Sequence, residues 1–345
     1  MHLLGEGLSS DDIAIDLSGT AGVGNNYEGM DTELLSRVPD LPKTTFNGEE
    51  VEFLNAKLRV KHGKVKLSGA AYIGKPDVPG GDPLIKETLQ GVYVTDGFIG
   101  GVLDNNIHSD NGMENGYDLG GVDIVFPSLY DPYEDDVNYT YLDYLKDTGL
   151  EVVDFDVNNE GIQNVISADT PDFEYGAPGG NHIMWDQASG TLTIEGIIWV
   201  DNVDGLEIGR TNDLEDEQTI IFAGKGTLVS ANSVADISIH DHLLANVTFP
   251  TADSLGLISA HDINVATGEV DDNLNVMGAF YAENKITMAK QTELAGTFVS
   301  DYIDMGDQVP SIYQVPELIN NMPPGMPGTG VSYYLYTNNW HETHE

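Results

Sequence analysis

The sequence predicts an all-β protein: a parallel β-solenoid carrying an irregular Asp/Tyr-rich insertion and capping arms. Three observations lead there. Short apolar strands opened by a glycine recur in series, a second short strand follows each of them, and the Asn-Gly or Asp-Gly signals of a hairpin meander are sparse. The stretch "GAFYAENKITMAKQTELAGTFVSDYIDMG", Gly278 to Gly306, contains the unit twice.

The units are Gly196-Ile-Ile-Trp-Val, Gly226-Thr-Leu-Val-Ser, Gly256-Leu-Ile-Ser-Ala, Gly278-Ala-Phe-Tyr-Ala and Gly296-Thr-Phe-Val-Ser, with starts 30, 30, 22 and 18 residues apart. Their companion strands are Leu206–Ile208, Val234–Ile239, Asp262–Val265, Lys285–Met288 and Tyr302–Met305. In a stack of coils each turn offers inward apolar residues to the next, while loops of any length leave at the corners, so a ragged period is tolerated. The glycines are expected at those corners, where φ > 0 is open to a residue without Cβ. An antiparallel sandwich is the competing architecture, since its strands also alternate and end in glycines.

The remaining segments follow in chain order. Residues 1–41 are polar and glycine-rich and read as an N-terminal arm closing near Pro39 and Pro42. Residues 42–310 read as the solenoid body. Within it, Val51–Lys75 and Gly91–Gly101 supply strands on which Lys57, Arg59, Lys61, Lys64 and Lys66 alternate with Leu58, Val60, Val65 and Leu67. That pattern predicts one exposed basic face, either salt-bridged or a docking face for an acidic partner or another copy of the chain. Residues 104–181, rich in Asp, Asn, Gly and Tyr, read as an insertion on the flank, with a short helix over Val137–Thr148 whose apolar side is Tyr141, Leu142 and Leu145. Its tyrosines pack on the body or stack on a sugar or a partner. Residues 311–345 read as a C-terminal arm or cap, because their prolines interrupt any regular ladder while a terminal coil needs its apolar edge covered.

Composition bounds the function. At 345 residues with 40% hydrophobic content the chain can bury a large core. Fourteen Lys+Arg against 57 Asp+Glu give a net charge of −43, which repels nucleic-acid phosphates and anionic membranes. Such a surface suits a saline, extracellular milieu, where salt screens self-repulsion; it also suits acidic loops that bind calcium through oxygen ligands. With no cysteine there is no disulfide, thiolate metal site or cysteine nucleophile. No stretch has the length and apolarity of a membrane helix, and the opening "MHLLGEGLSSDDIAIDLSG" lacks the basic flank and apolar run of a signal peptide, so direct membrane insertion of this chain is not expected.

Candidate sites are few. "DFDVNNEG" sets Asp154, Asp156 and Asn158 at the first, third and fifth positions of a calcium loop, but Asn159 stands where an EF-hand has glycine and Val165 where it has its bidentate Glu. Asp201 and Asp204, in "DNVDGLE", form a further acidic corner of the same kind, as do Asp213–Glu217. His240 and His242 would share a face if the strand ending at Ile239 continued, a start for a zinc or nickel site that lacks a third ligand. His261 falls in the next coil, with no stacking on that pair implied by the ragged period. Arg210 is the arginine nearest an acidic corner that lyase-like chemistry on a glycan would want. No nucleotide-binding loop, nucleophile elbow or His-Glu-x-x-His is present, and no catalytic residue is assigned.

The serial glycine-led units, "VPSIYQVP", "PPGMPG" and the closing Trp340, with "LRVKHGKVKLSGAAYIG" and "GVYVTDGF" earlier, resemble the β-rich region of bacterial PilX-type pilus-assembly proteins over most of the chain. The family's N-terminal apolar helix has no counterpart here, so retention in the inner membrane or packing into a pilus through such a helix is not expected. The resemblance implies a non-enzymatic structural or adhesive protein of type IV pili or the cell surface, with itself or other pilus and surface proteins as partners, and filament assembly as one mode. A carbohydrate-binding or carbohydrate-active β-helix, with glycans as partners, is the alternative.

Overall fold

The computed structural model describes residues 1–3, 5, 8–24, 27, 29–46, 48–52, 56–74, 89, 91–100, 107–109, 128–134, 136–153, 155, 164–209, 218–269, 271, 273–305 and 309–327. Its strands gather into a sixteen-stranded and a nine-stranded sheet plus two small hairpins. Pairing in the two large sheets is parallel throughout, except where Phe173–Gly176, His182–Asp186 and Thr191–Val200 run antiparallel in succession. Mostly β structure with parallel sheets is therefore what the repeat encodes, and the antiparallel sandwich is excluded for the repeated region.

The repeat sets the register. In the larger sheet Ile198 pairs with Leu228, Leu228 with Leu257, Leu257 with Phe280 and Phe280 with Phe298. Each of the five is at most 1% exposed. The rings of Phe280 and Phe298 stack at 5.1 Å and 22°, an offset geometry that adds to their burial. The companion strands build the nine-stranded sheet in the same way: Ile208, Ile239, Val265 and Met288 form one buried row, and Leu206, Ile237, Ile263, Ile286 and Ile303 another. A unit that starts with the same apolar spacing thus lays like on like, and each row buries its neighbour.

Of the five unit glycines only Gly196 takes the positive φ expected of a corner. Gly196, Gly226, Gly256, Gly278 and Gly296 lie inside the strands Thr191–Val200, Lys225–Ser230, Ser254–Ser259, Asn275–Ala282 and Glu293–Ser300. The long strand Thr191–Val200 bends at Gly196, where φ is +73°, so that its first part pairs with Thr219–Ala223 and its second with Lys225–Ser230. At Gly296 the reason is different: a Cβ there would run into the carbonyl oxygen of Gly278 on the neighbouring strand.

The segment 1–41 is more than an arm, because three of its strands enter the sheets. His2–Leu3 lies between Val299–Ser300 and Arg59–Val60, and Ile13–Leu17 lies between Tyr302–Asp304 and Lys64–Leu67. Ser311–Gln314, from the opposite end, lies between Glu293–Gly296 and Gly22–Val23. The turn stacked on Glu293–Asp304 is therefore assembled from both ends of the described chain, and the Met1 amino nitrogen donates to Lys57 O at 3.0 Å and to Gln314 Oε1 at 3.5 Å. Residues 31–37 then cross the flank: Asp31 caps the helix α1 (Thr32–Leu35), its N–H donates to Glu293 Oε2 at 2.7 Å, and Arg37 Nη1 donates to Ala245 O at 2.6 Å.

The larger sheet is covered on its other face. After Gln314 the chain forms the 3-10 turn Pro316–Asn320 and continues across the sheet, accepting from Ser254 Oγ at Asn321 O (3.1 Å), Thr227 Oγ1 at Pro324 O (2.6 Å) and Tyr141 OH at Gly325 O (3.0 Å). The last bond reaches α2 (Tyr141–Thr148), which buries Tyr141, Leu142 and Leu145 as its sequence pattern requires. The helix starts at Tyr141 rather than near Val137 because Thr140 and Asp143 form a reciprocal capping box, and Asp136–Thr140 is a hairpin strand.

The basic strands split. Lys57 and Arg59 belong to the larger sheet, whereas Lys64 and Lys66 belong to the smaller, since the chain turns between Val60 and Lys64. Lys64 pairs with Asp11 at 2.9 Å and Lys66 with Asp16 at 2.7 Å, so the expected single basic face is two faces, one of them internally neutralised.

Candidate functional site

The corners that join the two sheets carry the polar side chains the stacking brings together. His240 follows Ile237–Ile239 of the smaller sheet and His242 opens His242–Ala245 of the larger, so the chain turns at Asp241 instead of continuing as one strand. The two imidazoles take separate partners: His240 Nδ1 lies 2.8 Å from Asp271 Oδ2, and His242 Nδ1 accepts from the Asn275 N–H at 2.9 Å. Asp201 is occupied on both oxygens, by Lys146 Nζ at 2.8 Å and Asn232 Nδ2 at 3.3 Å, while Asp204 is an exposed turn residue whose N–H donates to Asn202 Oδ1 at 2.9 Å. Asp154, Asp156, Asn158, Arg210 and Asp213–Glu217 lie outside the described residues.

His240 and Asp271 form a buried clip. Both are under 10% exposed, and Asp271 Oδ2 also accepts the Gly268 N–H at 2.6 Å, which fastens Gly268 and Asp271 to the corner. Burial is the largest single influence on His240 and disfavours its charge. The hydrogen bond and charge of Asp271, with Glu207 and Asp241 behind them, together outweigh it, and its pKa is raised. A raised folded-state pKa means that the pair's contribution is complete below the ordinary histidine value of 6.5 and is lost as pH climbs through the raised value. The urea midpoint of the wild type should therefore fall above about pH 6.5, the ordinary histidine value, and His240→Asn should remove that dependence. A wild-type midpoint flat through this range would show that the clip does not titrate as described.

One corner gathers three metal-ligating side chains that sequence reasoning did not bring together. Asp236 and Asp262 directly precede Ile237 and Ile263, which are partners in register, and His261 precedes Asp262. Ligand atoms of Asp236, His261 and Asp262 all lie within 4.8 Å of one another. His261 Nδ1 is 2.6 Å from Asp236 Oδ1 and 4.0 Å from Asp262 Oδ1. The available signal was Asp immediately before an isoleucine at the head of two successive companion strands, Asp236-Ile237 and Asp262-Ile263, which parallel pairing turns into neighbours.

No protein-family model and no curated protein matches the chain. Among solved structures, the crystal structure of the competence-associated pilin ComZ from Thermus thermophilus is similar, with a TM-score of 0.61 at 18% sequence identity, over 92% of this chain and 66% of that one. The chain thus spans about two thirds of the length of that pilin, and at this identity the likeness is one of fold. Among the described residues no helix is long and apolar enough to cross a membrane.

Proposed function

We propose that this chain is the β-rich, outward part of a non-enzymatic protein associated with type IV pili, located at the cell surface or outside it, with a structural or adhesive role. The observation that carries the reading is the fold likeness to a competence-associated pilin over 92% of the chain. The PilX-type resemblance in the sequence points the same way. Its partners would be other pilus proteins or copies of itself.

In this reading the two parallel sheets are successive faces of a stacked solenoid. Load applied along the stack would be borne by backbone ladders between neighbouring turns and by rows such as Ile198 to Phe298. A net charge of −43 would keep such a surface hydrated and dispersed in salt.

Immunogold microscopy with antibody raised against the purified chain tests the proposal on cells of the source organism. Gold on pili or at their base is the expected result. Well-preserved pili without gold, with the chain confined to the cytoplasmic fraction, would refute it.

A further inference from the structure

We propose that Asp236, His261 and Asp262 form a binding site for a zinc-class divalent metal ion. Zinc held tetrahedrally at about 2.0–2.2 Å from N and O ligands needs ligand atoms roughly 3.3 Å apart. The two separations measured from His261 Nδ1, 2.6 Å to Asp236 and 4.0 Å to Asp262, straddle that value, and all three ligand atoms lie within 4.8 Å of one another, so an ion would draw them together by side-chain adjustment. An imidazole–carboxylate hydrogen bond uses one aspartate. The hydrogen-bonded carboxylate, Asp236, comes from the neighbouring strand, and Asp262, next to His261 in the chain, brings a second carboxylate to the same corner; a metal ion would use both.

The backbone beneath the site is fixed. Leu206 N donates to Asp236 O at 3.0 Å and Ile237 N to Asp262 O at 3.0 Å, so both aspartates sit on ladder hydrogen bonds between turns. Asp236 is held from behind, through its other oxygen, by Asn264 Nδ2, which donates to Oδ2 at 2.9 Å, and Asp262 is oriented by Asn284 Nδ2 and the Lys285 N–H, which donate to Oδ1 at 2.7 and 3.1 Å. Supporting contacts of this kind orient ligands and raise affinity. The side chains of Asp236 and His261 are each 37% exposed, which leaves the ion a path in and room for water to complete its shell.

The donor set selects the metal. One imidazole and two carboxylates suit zinc and its neighbours, whereas calcium takes six to eight oxygens and gains little from a ring nitrogen. The ion would cross-link two neighbouring turns at one corner of the stack.

Calorimetric titration of the chain with zinc chloride, and separately with calcium chloride, tests this. The wild type should bind one zinc ion that an equal concentration of calcium does not displace, and His261→Asn should weaken binding at least about tenfold. Zinc binding unchanged in His261→Asn, or calcium competing on equal terms, would overturn the proposal by assigning the heat to the general acidic surface. Zinc-edge anomalous diffraction from wild-type crystals decides the matter without a variant: a peak beside His261 Nδ1 is expected, and zinc peaks only at other carboxylates would sink it.

Discussion

Gly296→Val should cost about 3 kcal/mol or more, the upper end of overpacking penalties, read as a lower urea midpoint at unchanged slope. Gly180→Ala should change stability by no more than about 0.5 kcal/mol, or raise it by a similar amount. Neither glycine has a positive φ, so backbone conformation alone would make both substitutions mildly stabilising by restricting the unfolded chain. Space decides the sign. Beside Gly180 the nearest atom to a new Cβ is Ala177 O at 3.5 Å, an ordinary contact in an exposed turn. At Gly296 a Cβ would overlap the Gly278 carbonyl oxygen, an atom of the neighbouring strand that cannot rotate away. Gly278 and Gly296 are register partners, so relief requires the parallel strands to separate along the ladder that also pairs Phe280 with Phe298. Equal midpoints for Gly296→Val and wild type would mean that the strands part without penalty.

The same pair shows how far the sequence is legible. The duplication from Gly278 to Gly306 implies like stacked on like, and the register delivers that, Gly278 on Gly296 and Ile286 on Ile303. It does not say why glycine is there. Periodicity reports which residues face inward, whereas a close approach of two backbones leaves no mark beyond the glycine itself. The split of the basic strands did leave a mark that the alternation within each strand obscures: the basic positions run 57, 59, 61 and then 64, 66, a one-residue slip across Lys61–Gly63 where the chain changes sheet. At the Asp236–His261–Asp262 corner the residues were visible and their adjacency was not, because units spaced unevenly in sequence come into exact register only once the strands pair. His240 and His242 failed in the opposite direction, being two apart in sequence and on different sheets.

The pairing of the two ends of the described chain was the least legible feature, since no repeat links residues 22–23 to 311–312, and it makes a strong prediction. Ile312 is fully buried, with Leu294 on one side in register and Val23 on the other. Ile312→Asp leaves an unpaired charge in that row and should remove roughly 3–5 kcal/mol, the scale of an uncompensated buried ion. Where the loss is felt is the sharper test. On the solenoid proposed above, stability is carried by nearest neighbours, so the lesion should spread to the turns it touches and fade beyond them. Those turns contain residues far away in sequence: 13–17 and 22–23 as well as 293–304. Hydrogen exchange followed by mass spectrometry should show faster exchange in all of them, with Thr191–Val200 and Lys225–Ser230 protected as in the wild type. If exchange rose only in 309–327 while residues 2–23 kept their protection, the shared turn would not be a cooperative unit. The N-terminal strands would then owe their stability to 57–67 and 299–304, and the two ends would be neighbours without being partners.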